Sequence, residues 1–330
     1  MEAWLLDGLG GLDKLRLATA DDPKPAEGEV VLEVDYAALN PADRYLAEGM
    51  YPARPSFPHV LGRDAVGTVV AAGPGVRSLK PGDRRMVLRG EVGVNKPGTF
   101  ARRVAVPVDY LVEIPQGWSD TEAAGATLVY LTAYQALMMW PDLPAPAVVL
   151  VTGASGGVGV ATIELAVAMG YTAIGLSRSA EKSQRLRDLG AALVLDPADT
   201  QWRRRLKEHL GPRRVDLAVD NIAGPLLPQV IDTLGDRGRV SCVGALAGPV
   251  PQFNTATLFF RRLRMGGVVV SGYSNAEARA AWQAVVDLLK RTGAKPLVDR
   301  VFAFEQLPAA FARLAEGPMG KVLLDVKPAR

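Results

Sequence analysis

Residues 147–159 read A-V-V-L-V-T-G-A-S-G-G-V-G, and V-A-T-I-E-L-A-V-A-M-G follows at helical spacing. An apolar strand therefore runs into a helix through a turn built mostly of glycine. Gly153, Gly156 and Gly159 recur at every third position, with Ser155, Gly157 and Val158 between and beside them. Such a turn leaves backbone N–H groups open at a helix N-terminus, where the helix dipole favours negative charge and side chains would obstruct an approaching phosphate. A glycine pattern alone is a weak signal. Its setting between a strand and a helix is what makes a dinucleotide pyrophosphate the expected ligand.

The surrounding chain supplies that setting. Strands are expected at 147–152, 172–176, 192–195, 215–220 and 238–243, with helices at 158–169, 180–189, 201–210 and 225–234. This alternation predicts a doubly wound parallel sheet. A further strand is expected at G-G-V-V-V (266–270), then a helix over roughly 275–291. The first 115 residues have a different grammar: short apolar runs such as V-V-L-E-V (30–34) and V-G-T-V-V-A-A-G (66–73), broken by glycine and proline. The change falls at S-D-T-E-A-A, where Ser119 and Glu122 form a capping-box pattern. The tail, G-K-V-L-L-D-V, returns to strand-like alternation. The expected organisation is a β-rich domain over 1–120, a nucleotide-binding domain over 121–270, and a segment over 271–330 that rejoins the first.

With 330 residues, 48% hydrophobic, the chain has material for two cores. A net charge of +3 is too small to argue for an anionic partner. One cysteine, Cys242, excludes an internal disulfide and a structural zinc site built on several thiolates. The opening M-E-A-W-L-L-D-G lacks the basic flank and apolar core of a signal peptide. The uncharged stretches 123–140 and 240–260 read as buried segments rather than membrane spans. A cytoplasmic protein is the expectation.

The strand after the glycine turn selects the cofactor. A site for NAD places an acidic side chain at that strand's end to take the ribose hydroxyls. Here the sequence is I-G-L-S-R-S-A-E-K (174–182), with no acid at the strand end. Ser177, Arg178 and Lys182 are instead placed to receive a phosphate through charge-assisted hydrogen bonds. NADPH is the expected cofactor.

G-A-S-G-G-V-G, S-R-S-A-E-K and the closing G-K-V-L-L, behind a β-rich N-terminal half, resemble the medium-chain dehydrogenase/reductase superfamily along nearly the whole chain. A-L-N-P-A-D (38–43), G-M-Y-P (49–52), L-G-R-D-A-V-G (61–67) and A-T-L-V-Y-L-T-A-Y-Q-A-L (126–137) are similar to the zinc-free, ζ-crystallin-like quinone oxidoreductases. The resemblance implies an α/β fold: a GroES-like catalytic domain plus a Rossmann cofactor domain. In the zinc-dependent members a cysteine stands in the place of Asn40 and a histidine in the place of Arg63. An amide and a guanidinium cannot serve as zinc ligands. The four-cysteine lobe of those enzymes is replaced by L-R-G-E-V-G-V-N-K-P-G-T (88–99). His59 reads as a turn histidine, and no metal is expected.

The resemblance also implies roles. Asn40 and Thr132 line the nicotinamide end, Gly244 flanks its carboxamide, and Lys321 stands near the pyrophosphate. Tyr51 corresponds to a tyrosine that donates a proton in related enoyl reductases; the alternative is a packed turn aromatic. Arg63 and Tyr130 are placed at the substrate cleft. Pro197 stands where relatives carry a tyrosine over the 2′-phosphate. Arg63 is expected to pair with Asp43 or Asp64, the alternative being a contact with a substrate oxygen. The implied reaction is hydride transfer from NADPH to a quinone or α,β-unsaturated carbonyl, which delocalises the developing charge without a metal. An enoyl thioester reductase is the enzyme alternative, and a structural or RNA-binding protein the other. R-R-R-L-K (203–207) reads as a solvated helix face, so no nucleic-acid partner is expected. A homodimer paired through 266–270 is implied by the family.

Overall fold

The computed structural model describes residues 1–88 and 92–327. Residues 89–91, part of the stretch 88–99 discussed above, lie outside the described residues. The chain divides into two compact units, one of Met1–Leu128, Tyr273–Ala280 and Lys295–Arg330, the other of Val129–Gly272 and Ala281–Ala294.

The first unit is the β-rich one. Its first segment contains β1 (Glu2–Leu6), β2 (Leu15–Thr19), β3 (Glu29–Ala38), α1 (Pro41–Ala47), β4 (His59–Val60), β5 (Asp64–Ala72), β6 (Arg84–Val87), β7 (Arg103–Pro107), β8 (Leu111–Val112) and α2 (Asp120–Ala124). Ser119 caps α2 as expected, its Oγ accepting from Glu122 N at 3.2 Å while Glu122 takes the Ser119 N–H at 2.6 Å. The next helix, α3 (Thr127–Met138), begins in this unit, because Thr127 and Leu128 both bond Asp64; the boundary therefore falls at 128/129 rather than at 120.

The second unit alternates β9 (Val148–Val151), α4 (Gly157–Ala168), β10 (Thr172–Leu176), α5 (Ala180–Asp188), β11 (Leu193–Leu195), α6 (Trp202–Leu210), β12 (Val215–Asp220), α7 (Leu226–Thr233), β13 (Leu234–Cys242), α8 (Ala256–Phe260) and β14 (Arg264–Gly267). Its six strands are all parallel, in the order β11-β10-β9-β12-β13-β14. That is the doubly wound order, with its reversal between β9 and β12. Val148 and Leu150, wholly buried at the centre, show why this strand reads as a continuous apolar run. The last strand ends at Gly267, so only two residues of the expected 266–270 are strand; Val270–Gly272 form a helical turn.

After α9 (Asn275–Thr292), β15 (Val298–Ala303), α10 (Leu307–Ala315) and β16 (Lys321–Asp325) complete the first unit. Strand β16 lies antiparallel to β3, within a sheet ordered β15-β16-β3-β5-β6-β8, with β7 also on β3. A smaller sheet has the order β2-β1-β4. His59 is in β4 and is buried, not in a turn. Pairing of Ala38 with both Asp64 and Leu323 draws the end of β3 and the starts of β5 and β16 to one place. The unit's polar site forms there. No helix among the described residues is long and apolar enough to cross a membrane.

Candidate active site

In the parallel unit, the carboxyl ends of β9 and β12 are tied together at the reversal of strand order. Thr152 donates to Asp220 Oδ1 at 2.6 Å, Asn221 Nδ2 donates to the Thr152 carbonyl at 2.8 Å, and the Asn221 N–H reaches Thr152 Oγ at 2.9 Å. Asp220 also accepts from the backbone of Ile222 and Ala223. All three side chains are buried. None was singled out from sequence, although V-D-N at the end of a predicted strand is the kind of signal that marks such a rim.

The glycine turn leaves this rim. Gly153 has φ +56°, and a Cβ there would stand 2.9 Å from Ile222 Cδ1. At Gly159 a Cβ would overlap the Gly153 carbonyl oxygen, so only glycine lets α4 pack on the turn. Gly156 precedes α4 without a capping side chain, leaving the first-turn N–H groups of Gly157 and Val158 facing the turn; Ser155 is half-buried beside them. A Cβ on Gly244 would come 2.8 Å from the Asn221 carbonyl oxygen. At the end of β10, the Ser177 hydroxyl is buried with no hydrogen-bond partner among the described residues. Arg178 is exposed, and Ser179 caps α5 by accepting from Lys182 N at 3.3 Å. An open helix terminus, an unmatched hydroxyl and a nearby guanidinium fit a phosphorylated dinucleotide.

The polar site of the β-rich unit is a closed cluster. Pro41 opens α1, and Asp43 reaches back to accept the Asn40 N–H at 2.8 Å. The Asn40 side chain is used at both ends: Oδ1 accepts from Lys321 Nζ at 2.6 Å, and Nδ2 donates to Asp64 Oδ2 at 2.9 Å. Lys321 also pairs with Asp64 at 3.2 Å, and Thr127 Oγ donates to Asp64 Oδ1 at 2.9 Å. Arg63 lies with Nε 3.6 Å from Asp43 Oδ1, and its Nη1 donates to the Tyr51 hydroxyl at 3.0 Å. Two carboxylates thus meet two cations. Pairing of this kind is what makes buried charge tolerable. Burial still pushes the Asp43 carboxyl up to about 6, against the pull of Arg63.

The structure brings Asn40, Tyr51, Arg63 and Lys321 into one cluster, and of the two expected partners it gives Arg63 Asp43. Asn40 and Lys321, assigned to the cofactor by resemblance, have their polar atoms turned into this network. Tyr130 departs from its expected place at a substrate cleft: it is 1% exposed, and its hydroxyl donates to Glu164 of α4. The ring is buried in the fold, and the phenol has a carboxyl partner on α4. Burial pushes Glu164 up to about 7, although Tyr130 pulls the other way. Thr132 is half-buried on α3.

A zinc ion does not fit these residues. The amide of Asn40 is already spent, Arg63 is itself a cation, and the described residues contain no group of three or more His, Cys, Asp or Glu able to hold a metal. Within the basic stretch 203–207, Arg203, Arg204 and Arg205 pair with Asp232, Glu208 and Asp199.

Two family models match, the alcohol dehydrogenase GroES-like domain at 26–116 and the zinc-binding dehydrogenase at 157–291. The human synaptic vesicle membrane protein VAT-1 homolog is 30% identical over 343 residues, covering 97% of this chain and 85% of the relative. Among solved structures, an NAD-dependent alcohol dehydrogenase superposes with a TM-score of 0.91 at 27% identity, over 99% of this chain and 100% of that one. Escherichia coli quinone oxidoreductase complexed with NADPH gives a TM-score of 0.88 at 26% identity, over 98% and 100%.

Proposed function

We propose that this chain, which belongs to the medium-chain dehydrogenase/reductase superfamily in its quinone oxidoreductase-like branch, reduces quinones or other α,β-unsaturated carbonyl compounds with NADPH, without zinc. It is an oxidoreductase of that superfamily. The observation that carries the finer reading is the closed cluster of Asn40, Asp43, Arg63, Asp64 and Lys321, which has the charge of a salt and not the donor set of a metal site. A Lewis acid on the oxygen is what the zinc-dependent relatives use to oxidise a simple alcohol, and this cluster offers no donor set for one. A conjugated acceptor spreads the incoming charge itself and needs only a positioned donor.

NADPH bound to the parallel unit supplies the hydride. Gly153, Ser155, Gly156, Gly157, Val158 and Gly159 would hold its pyrophosphate, and Ser177, Arg178 and Lys182 its 2′-phosphate. Thr132, Gly244, Asn40 and Lys321 are carried from the family likeness to the rest of the cofactor. Tyr51 is the proton donor of the reading, and Arg63 stands beside it. A homodimer is proposed through β14, an edge strand flanked by the exposed rings of Phe259 and Phe260.

The test is oxidation of NADPH against a panel of quinones, enones, enals and acyl-coenzyme A thioesters. The reading expects turnover of quinones or enones. Turnover confined to thioesters would make the protein an enoyl thioester reductase, and turnover of none would remove the assignment.

A further inference from the structure

The phenol of Tyr51 is held in an unusual way. Its oxygen accepts from Arg63 Nη1 at 3.0 Å, and the guanidinium carbon lies 4.3 Å from the ring centroid. A guanidinium has five donors and no acceptor, so the tyrosine proton cannot point at Arg63. The hydroxyl donates to no acceptor among the described residues. Tyr51 also lines a cavity of about 530 Å³ with Leu9, Gly49, Pro52, Arg54 and Asn95, so the ring borders open space.

The cation behind it is fixed rather than mobile. Arg63 is largely buried, its Nε 3.6 Å from Asp43, whose other oxygen takes the Asn40 N–H. Arg63 Nε and Nη2 have no hydrogen-bond partner among the described residues. Unmatched donors on a buried guanidinium are costly when every neighbour is neutral. They become useful when a neighbour gains negative charge.

We propose that Arg63 is a positioning residue that makes Tyr51 the proton donor to the α-carbon of an enone substrate. The proposal rests on the NADPH-dependent reading above and narrows its substrate class. In the step, a hydride leaves the dihydronicotinamide and forms a C–H bond at the β-carbon, reducing the enone by two electrons and oxidising the cofactor. The resulting enolate takes the proton of the Tyr51 O–H at its α-carbon. The phenolate left behind is stabilised by the guanidinium and regains a proton from water. A quinone makes no such demand, because after the hydride a single proton on oxygen completes the hydroquinone and can come from solvent.

The test is a double-mutant cycle of Tyr51→Phe, Arg63→Gln and the pair, assayed with NADPH on a simple enone and on a benzoquinone. A positioned general acid contributes about a hundredfold or more. Each single variant is expected to lower the enone kcat by about that factor with KM little changed, and the double variant should be no worse than either. Quinone turnover, assayed in parallel, should fall by a smaller factor than enone turnover in each variant, because the proton that completes a hydroquinone can come from solvent. Arg63→Lys keeps a cation opposite Asp43 and should restore part of the lost enone kcat. If melting curves show that Arg63→Gln folds poorly, Arg63→Lys replaces it in the cycle, with a drop of about tenfold. Wild-type enone turnover that neither Tyr51→Phe nor the Arg63 variant lowers, or losses that multiply in the double variant, would overturn the proposal alone. A wild-type protein that reduces quinones but no enone would also overturn it, and one inactive on both would overturn the parent reading with it.

Discussion

Replacing Glu164 with Gln should change how the stability of this protein depends on pH. Glu164 is 3% exposed on α4, with Oε2 accepting the Tyr130 hydroxyl and Oε1 buried without a hydrogen-bond partner among the described residues. Burial raises its pKa from an ordinary carboxylate value of 4.5 to about 7. The fold therefore prefers the protonated acid. Stability from this group is intact below the unfolded value and is lost as pH rises from about 4.5 to about 7. At about 1.4 kcal/mol for each pH unit, the loss is roughly 3 kcal/mol by about pH 8.5. Glutamine keeps an oxygen for Tyr130 and cannot ionise. Its own packing cost is the same at every pH, so the difference between variant and wild type isolates the titration. Urea unfolding followed by far-UV circular dichroism should show that difference moving in the variant's favour by about 3 kcal/mol between about pH 4.5 and about pH 8.5. Asp43, raised by burial to about 6, shifts both proteins alike. Parallel curves would refute the reasoning.

Arg178→Ala should narrow the preference for NADPH over NADH by about ten- to a hundredfold, the worth of one charge-assisted bond, as read from the two dissociation constants by fluorescence titration. Equal affinity of the wild type for the two cofactors would contradict the assignment of the phosphate pocket. Light scattering at micromolar concentration should give the mass of a dimer, and a Phe260→Glu variant, altering a side chain 78% exposed beside β14, should shift that mass toward one chain.

The parallel unit was legible because its constraints are local. Gly159 has no room for a Cβ, and the apolar runs at 148–151 and 215–220 are the buried strands they resemble. The cluster around Asn40 was legible only in part. Its contacts join residues far apart in sequence: 63 positions separate Asp64 from Thr127, and 281 separate Asn40 from Lys321. The charge of Arg63 made a partner necessary, and Asp43 was already within reach of the same turn. Nothing local announced that Thr127 would close the cluster. Tyr130 misled because its motif carries an aromatic at the expected place, while its burial and its bond to Glu164, 34 positions away on another helix, are set by tertiary packing. The run G-G-V-V-V misled for a different reason: β propensity extends through Val270, but pairing with β13 stops at Gly267.

The central claim is that this protein moves a hydride from NADPH to a conjugated carbonyl carbon or quinone. The direct measurement is turnover with NADPH deuterated at the transferable position of the nicotinamide, using an enone that the protein reduces and mass spectrometry of the product. The account predicts one deuterium per molecule at the β-carbon, retained in ordinary water, and the same result after treatment with a zinc chelator. Product without deuterium, or activity that disappears with the chelator, would contradict it.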